Sequence, residues 1–226
     1  MNVSLSDREQ RQGLCYLCFQ TLLFPLLLQK LNGLLPVPLR SGAVNFLFFC
    51  VNFAATILIF RSFLKLELLE AWKKRKRCLL TAAVTSGIYA VTTAGLNLLL
   101  LHFFPDFSNV NDESIAKMLE ESFSLMCIGT VFLVPLTEEC LFRGALFRGL
   151  YDKNPLLAYV MSTAAFCAIH ILGYADTCDA TTLLLCFIQY IPAGVCLAGA
   201  YRISGSICAP VLVHTAVNLV AILTLR

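Results

Sequence analysis

The sequence predicts an all-α membrane protein, a bundle of about seven transmembrane helices in which the last four form a polar cavity. Of its 226 residues, 58% are hydrophobic and only 14% are charged. Soluble domains are richer in charge, at about 25% of residues. The apolar residues fall in runs of about 18 or more, the length of helix that crosses about 30 Å of hydrocarbon. They do not alternate with polar residues in short segments, as the strands of a membrane β-barrel do.

Polar or proline-containing turns separate the predicted spans. The first apolar run, residues 14–28, contains Pro25 and is short for a complete crossing. The runs that follow are residues 41–60, 79–104, 123–148, 156–172, 181–201 and 207–225. The polar connection at 106–122 is expected to hold one short surface helix. Residues 1–122 are interpreted as N-terminal spans and residues 123–226 as the catalytic core, within a single integral membrane domain.

A strongly basic segment, residues 61–77, lies between the second and third predicted spans, with seven Lys or Arg and two Glu. Apolar side chains recur in it at helical spacing: Leu64, Leu68, Leu69 and Trp72. This pattern predicts an amphipathic helix at the membrane interface. The basic end, Lys73 to Arg77, is expected to contact anionic lipid headgroups.

The distribution of basic residues predicts the orientation of the bundle. If residues 61–77 are cytoplasmic, the loops that hold Arg148, Lys153 and Arg202 lie on the same side, and the acidic segment 106–121 lies on the other. Because cytoplasmic loops carry the excess of Lys and Arg, the N-terminus is predicted to be cytoplasmic. The net charge of +3 is modest, and no nucleic-acid partner is expected.

Three ionisable residues stand in the middle of the fourth predicted span: Glu138, Glu139 and Arg143. Placing each in hydrocarbon costs roughly 2.5 to 3.5 kcal/mol on insertion scales, so such residues usually serve a function. Glu139 and Arg143 are four positions apart and can pair on one face of the helix. Glu138 projects about 100° away from Glu139 and can face something else. A carboxylate in that position suits a general base or acid.

The later spans carry further polar pairs at helical spacing. Phe166 and His170 are four residues apart on the fifth span, and His214 and Asn218 are four residues apart on the seventh. Because lipid disfavours such groups, the three helices are expected to turn them toward a common cavity. In that cavity Glu138 and His170 can hold and deprotonate water, while His214 and Asn218 donate hydrogen bonds to an oxyanion.

The same residues leave a second chemistry open. Glu138, His170 and His214 form the two-histidine, one-carboxylate set that is common in catalytic zinc sites. The prediction is that no cofactor is needed, with zinc as the alternative. Glu139 and Arg143 can also be a buried ion pair whose role is packing alone.

At these residues the sequence resembles the CPBP intramembrane proteases, also called the Abi family, which include CAAX prenyl proteases and bacteriocin-processing enzymes. The family motifs are E-E-x-x-x-R, F-x-x-x-H and H-x-x-x-N. Here they stand, in order and on separate spans, as Glu138-Glu139-Cys-Leu-Phe-Arg143, Phe166-Cys-Ala-Ile-His170 and His214-Thr-Ala-Val-Asn218.

The resemblance implies an endopeptidase that acts on a membrane-associated, prenylated or leader peptide and opens toward the cytoplasm. It implies that Glu138 and His170 activate water, that His214 and Asn218 stabilise the oxyanion, and that other motif residues support the site or bind substrate: Glu139, Arg143 and Phe166. The family has been described both as metalloproteases and as glutamate proteases, and the asparagine beside His214 favours the second. The compact chain resembles the bacterial members, which implies a bacterial cell membrane.

Two other classes of function compete with proteolysis. A proton-coupled transporter would use the carboxylates and histidines as a relay, and it predicts inverted repeats and broken spans that the sequence does not show. A bacteriocin-immunity or scaffold protein would keep the fold without proteolysis, and it predicts the loss of at least one motif residue. All the motif residues are present.

Overall fold

The computed structural model describes residues 5–225, and within that range the chain is helical, without strands. Within these residues, six helical segments are long and apolar enough to cross a membrane: α1 (Asp7–Gly33), α2 (Ser41–Ile59), α4 (Arg75–Phe103), α5 (Val110–Tyr151), Pro155–Tyr174 and α7 (Ala180–Ser204). The α-helical part of the fifth segment is α6 (Pro155–Ile169). A shorter apolar helix, α8, spans Cys208–Thr224, and α3 (Arg61–Lys73) lies between α2 and α4. The predicted fold class, a polytopic helical membrane bundle, is confirmed.

The first helix is longer than predicted from its apolar run. Ser6 and Glu9 form a capping box at its start, so the helix begins before the apolar residues do. The residues before Pro25, Phe19–Leu23, are π-helical, with the Phe24 N–H donating to the Phe19 carbonyl. Because proline has no N–H and its ring crowds the carbonyl four residues earlier, the helix widens here instead of ending.

Helix α3 packs one face on the bundle and exposes the other. Phe63, Leu64 and Glu67 are buried, while Leu68, Leu69 and Trp72 are exposed. Leu64, which recurs with these residues in the predicted interfacial helix, contacts the hydrophobic core. The predicted basic tail is also divided: Lys74 separates α3 from α4, whose first turn holds Arg75 to Arg77.

A buried carboxylate on α3 contacts the start of α8. Glu67 is 1% exposed, and its Oε2 accepts a hydrogen bond from the Ile207 N–H at 2.8 Å. Its Oε1 accepts one from the Tyr201 hydroxyl at 3.3 Å. Burial raises the pKa of Glu67 more than these hydrogen bonds lower it. Because Ile207 precedes the helix that carries His214, Glu67 connects the interfacial helix to the candidate site.

We expect Glu67→Ala to destabilise the protein by about 1–3 kcal/mol, because the buried Ile207 N–H loses its partner. Glu67→Gln keeps a carbonyl acceptor and should be much milder. Since the pKa is raised in the folded state, the carboxyl contributes most stability below its ordinary pKa and loses that contribution as the pH rises through the folded value. As the pH is raised from acid to neutral, the thermal unfolding midpoint of wild type should therefore fall more than the midpoint of Glu67→Gln.

The matched control is Glu70→Ala, one turn along α3, where Glu70 pairs with Lys73 and Lys74 near the surface. Exposed pairs of this kind contribute little, so its midpoint should stay near that of wild type. Equal losses in Glu67→Ala and Glu70→Ala would contradict the anchoring role of Glu67.

The sequence predicts a short surface helix followed by a separate span, but the structure has one continuous helix, α5, in this region. It runs from Val110 to Tyr151 and changes direction at Ser122, whose backbone is not helical (φ −156°, ψ 64°). A π-helical segment, Gly129–Leu133, precedes Pro135, as in α1. A second, Cys140–Phe147, begins directly after Glu139. Single π-helical turns inside α-helices are frequent at functional sites.

Candidate active site

Glu139, Arg143 and His214 form a buried triad between α5 and α8. Arg143 and Glu139 are both 0% exposed, and the Arg143 guanidinium donates to Glu139 Oε1 at 3.1 Å. The same oxygen lies 2.9 Å from His214 Nδ1. Arg143 also donates to the Gly194 carbonyl of α7 at 3.2 Å. The spacing of four residues predicts the ion pair, but it does not predict that Glu139 also binds His214.

Glu138 lies beside this triad without a direct hydrogen-bond partner for one of its oxygens. Its side chain is 15% exposed, and Oε2 lies 3.9 Å from His214 Nε2. That separation is too long for a direct hydrogen bond and suits a bridging water. Among residues 5–225, buried Glu138 Oε2, Glu139 Oε2 and Arg143 Nε lack hydrogen-bond partners. Such atoms in a buried polar site are usually satisfied by internal water.

The contacts of His214 define its tautomer. An ionised carboxylate only accepts hydrogen bonds, so His214 Nδ1 carries the proton that is donated to Glu139. Nε2 is then an acceptor and faces Glu138. In this form His214 cannot donate to an oxyanion, as the sequence-based interpretation has it, until Nε2 is protonated.

His170 is held at the end of α6. Its Nδ1 donates to the Phe166 carbonyl at 2.7 Å. Since a neutral imidazole carries one N–H, Nε2 is left as the free nitrogen. The His170 ring stacks on Tyr190 of α7 with centroids 4.2 Å apart and 28° between the planes.

The Phe166 ring lies between the two imidazoles. Its centroid is 4.7 Å from that of His170 and 5.9 Å from that of His214. The Arg143 guanidinium lies over the same ring, 4.6 Å from the centroid, a distance at which a cation is attracted to the aromatic face. Phe166 therefore packs against three of the polar side chains that the motifs supply.

Asn218 uses one of its donors within the bundle. Its amide nitrogen donates to the Thr130 carbonyl at 2.8 Å. Thr130 belongs to the π-helical segment ahead of Pro135, so this bond attaches α8 to the irregular part of α5. A side-chain amide has two N–H groups, and the second remains for the cavity that Asn218 lines.

The cavity beside these residues has a volume of about 60 Å³. It is lined by Tyr89, Phe166, His170, Tyr190, Ala193, Leu197, Val213, His214, Val217 and Asn218. A space of this size holds a few water molecules. The sequence predicts that the last four spans form the cavity, but α4 contributes Tyr89 to the lining and α5, which carries Glu138, contributes no lining residue.

Sequence reasoning missed Tyr190. It stacks on His170, and its hydroxyl accepts a hydrogen bond from the Asn111 amide at 2.9 Å. The available signal was a pair of polar residues, Gln189 and Tyr190, inside the apolar run 181–201. The pair shows that a polar face exists, but not which helix it meets.

The zinc alternative requires Glu138, His170 and His214 to lie in one coordination shell. No group of three or more His, Cys, Asp or Glu side chains that could hold a metal ion occurs in the described part of the chain. Glu138, His170 and His214 border one region but do not form a common coordination shell. We therefore derive no step through a metal.

The fold and the site together define an integral membrane protein of the intramembrane protease class. Residues 120–220 match the family described as type II CAAX prenyl endopeptidase, Rce1-like. The match contains all the motif residues from Glu138 to Asn218 and confirms the resemblance to the CPBP and CAAX proteases. No curated protein and no solved structure matched the chain.

Proposed function

We propose that the protein is a glutamate-type intramembrane endopeptidase that hydrolyses a peptide bond of a membrane-associated substrate, such as a prenylated or leader peptide. The observation that carries this proposal is the buried, unpartnered Glu138 Oε2, 3.9 Å from His214 Nε2 within the described residues. These two acceptors can bind both hydrogens of one water molecule and leave its oxygen lone pairs for attack. The test is peptide cleavage by wild type and by Glu138→Gln, and loss of cleavage in the folded variant is the expected result.

In the proposed reaction Glu138 removes a proton as the water oxygen attacks the scissile carbonyl carbon. The carbonyl π bond becomes an oxyanion in a tetrahedral intermediate. The second N–H of Asn218, which lines the cavity, donates to that oxyanion. In the form of the enzyme in which His214 Nε2 has already taken up a proton from solvent, His214 donates to the oxyanion as well. The C–N bond then breaks, and protonated Glu138 gives its proton to the leaving amine.

Glu139 stabilises the protonated form of His214. Its Oε1 accepts from both His214 Nδ1 and Arg143, so the imidazole is oriented by an anion that is itself held in place. A buried carboxylate that fixes the tautomer of a histidine and stabilises its cation is the device found in serine-histidine-aspartate hydrolases. His170, which lines the cavity and has a free Nε2, is assigned to accept the second hydrogen of the water when His214 Nε2 is protonated and no longer accepts it.

We expect Tyr190 to act as a positioning residue for His170. Tyr190→Leu removes the stacked ring and should lower kcat by about fivefold with little change in KM. The reason is that an aromatic pair contributes on the order of 1 kcal/mol, which corresponds to about fivefold in a rate. Tyr190→Phe keeps the ring and loses only the hydroxyl that bonds to Asn111, so it should retain most of the activity. Steady-state kinetics on a cleaved peptide make the comparison, and equal losses of kcat in both variants would show that the hydroxyl, and not the stacked ring, is what matters.

The N-terminus and the basic segment 61–77 are assigned to the cytoplasmic side, following the distribution of Lys and Arg. On this assignment the exposed Leu68, Leu69 and Trp72 enter the interface. Lys73 and Lys74 share Glu70, and the Arg75 guanidinium donates to the Trp72 carbonyl at 3.3 Å. Within the basic tail Lys73 to Arg77, Lys76 and Arg77 are therefore assigned first to anionic headgroups.

A further inference from the structure

Helices α6 and α7 approach each other closely at a glycine beside the candidate active site. Gly194 of α7 is buried, and a Cβ built on it lies 2.6 Å from Cγ2 of Thr163 on α6. The Cα and Cβ of Thr163 each lie 3.1 Å from the same point. Carbon atoms in ordinary contact are about 3.5–4.0 Å apart. The two helices are therefore closer here than a residue with a Cβ allows without a shift.

Each helix carries site residues on the face that makes this contact. On α7, Gly194 is four residues after Tyr190. On α6, Thr163 is three residues before Phe166 and seven before His170. Residues at these spacings lie on one face of an α-helix. The stacking of Tyr190 on His170, with centroids 4.2 Å apart, and the close contact at Gly194 therefore belong to one interface between α6 and α7.

The backbone of Gly194 also contacts the buried ion pair of the site. Its carbonyl accepts a hydrogen bond from Arg143 Nη2 at 3.2 Å, and Arg143 Nη1 donates to Glu139 at 3.1 Å. Arg143 and Glu139 are both fully buried, so solvent does not replace the carbonyl if α7 moves, and the lost partner is costly. A shift of α7 against α6 therefore disturbs the ion pair and the stacked rings together.

Thr163 cannot make room for a Cβ at position 194 by rotating its side chain. Its own Cα and Cβ do not move when χ1 changes, and each is only 3.1 Å from the position of the added carbon. In helices, χ1 of β-branched residues is also restricted. Extending the 2.6 Å contact to an ordinary separation takes about 1 Å, which has to come from movement of the helices.

We propose that Gly194 is a positioning residue for the hydrolysis. Because it lets α7 lie directly against Thr163, it places the Tyr190 ring on His170 and its own carbonyl on Arg143. The inference rests on the proposed function, since it is there that His170 and Arg143 take part in the reaction. The helix contact itself can be measured without hydrolysis, so the two proposals can fail separately.

The first test is steady-state kinetics of peptide cleavage by the detergent-purified protein. Gly194→Ala should lower kcat by about 10²-fold, the loss that a displacement of about 1 Å can cause. KM should change little, because Gly194 does not line the cavity. The matched control is Gly199→Ala on the same helix, where an added Cβ has no described atom within 4 Å. It should cleave at the wild-type rate.

A second substitution on the opposite helix should restore activity. Thr163→Ala removes the methyl at 2.6 Å and a buried hydroxyl that has no hydrogen-bond partner in the described chain. The remaining contacts at 3.1 Å need only a few tenths of an ångström of adjustment. Gly194→Ala/Thr163→Ala should therefore recover most of the kcat that Gly194→Ala loses. If Gly194→Ala does not fold, Thr163→Ile enlarges the facing side chain instead and should lower kcat in the same direction.

Histidine NMR measures the same contact without a substrate. In protein labelled with ¹³C at histidine Cε1, the signal of His170 is the one that His170→Gln removes. Tyr190→Leu shows how far the stacked ring shifts that signal. Gly194→Ala should move the His170 signal in the direction of Tyr190→Leu, whereas Gly199→Ala should leave it in place. Adding Thr163→Ala to Gly194→Ala should return it toward its wild-type position.

The outcomes separate positioning from packing. A folded Gly194→Ala that loses only thermal stability, with kcat and the His170 signal as in wild type, would show that Gly194 serves packing alone and would overturn the proposal. If wild type cleaves no peptide, the proposed function fails, and the His170 signal alone decides whether Gly194 sets the contact. An unchanged His170 signal in folded Gly194→Ala would overturn it in that case as well.

Discussion

Glu138→Gln is expected to lower kcat/KM by about 10²–10⁴-fold, the contribution usual for a general base. The amide has nearly the same size and shape as the carboxylate but cannot accept a proton from water at neutral pH. Because Glu138 Oε2 has no hydrogen-bond partner in the described chain, the substitution breaks no hydrogen bond of that atom. The folded state should therefore persist while cleavage stops.

The matched control is Glu70→Gln, a carboxylate on the interfacial helix α3 that pairs only with Lys73 and Lys74 among the described residues. It should cleave at the wild-type rate. Circular dichroism and elution volume in detergent would show whether both variants fold. If Glu138→Gln folds and cleaves as fast as wild type, Glu138 is not the base.

Arg143→Met is expected to destabilise the protein by about 3–5 kcal/mol, because it leaves the fully buried Glu139 carboxylate without its cation. A neutral pair of similar volume is often tolerated in place of a buried ion pair. The double variant Glu139→Gln/Arg143→Met should therefore recover most of the thermal unfolding midpoint that Arg143→Met loses.

Activity should not recover with stability in the double variant. His214 Nδ1 loses the anion at 2.9 Å that stabilises its protonated form. Measuring the unfolding midpoint and peptide cleavage on wild type and both variants separates the two roles. A double variant that is both stable and fully active would show that Glu139 and Arg143 serve packing alone.

The sequence predicts those parts of the site that lie within one helix. The spacing of Glu139 and Arg143 predicts their ion pair, and the motifs identify the other polar side chains. The contacts of His214 with Glu139 and of Asn218 with Thr130 join different helices, and they depend on how α5 and α8 are rotated against each other. Helical periodicity gives the face of one helix but not the partner of that face.

The helix boundaries could also be predicted only in part. The apolar runs locate the spans, but the capping box at Ser6 and the kink at Ser122 extend α1 and α5 beyond them. The π-helical segments next to Pro25 and Pro135 also shift the angular position of later residues, which the regular period of an α-helix does not anticipate. The contact of Tyr190 with His170 could not be predicted for the same reason, because the stacking of the two rings depends on how α7 packs against α6.

The non-proteolytic alternative makes a different prediction from the same chain. An immunity or scaffold protein of this fold would work without Glu138, because neither role needs a base. A protection assay against a bacteriocin, with wild type and Glu138→Gln expressed at equal levels, distinguishes the two. Protection by the variant, together with no peptide cleavage by wild type, would favour the scaffold role.

The most direct measurement is cleavage of a mixed library of short and farnesylated peptides by the detergent-purified protein in ¹⁸O-labelled water, read by mass spectrometry. Our account predicts that wild type releases products whose new carboxyl group carries the label. It predicts that Glu138→Gln and His214→Ala release none and that a strong zinc chelator leaves the rate unchanged. Labelled products from folded Glu138→Gln at the wild-type rate, or a loss of wild-type activity with the chelator that zinc restores, would contradict it.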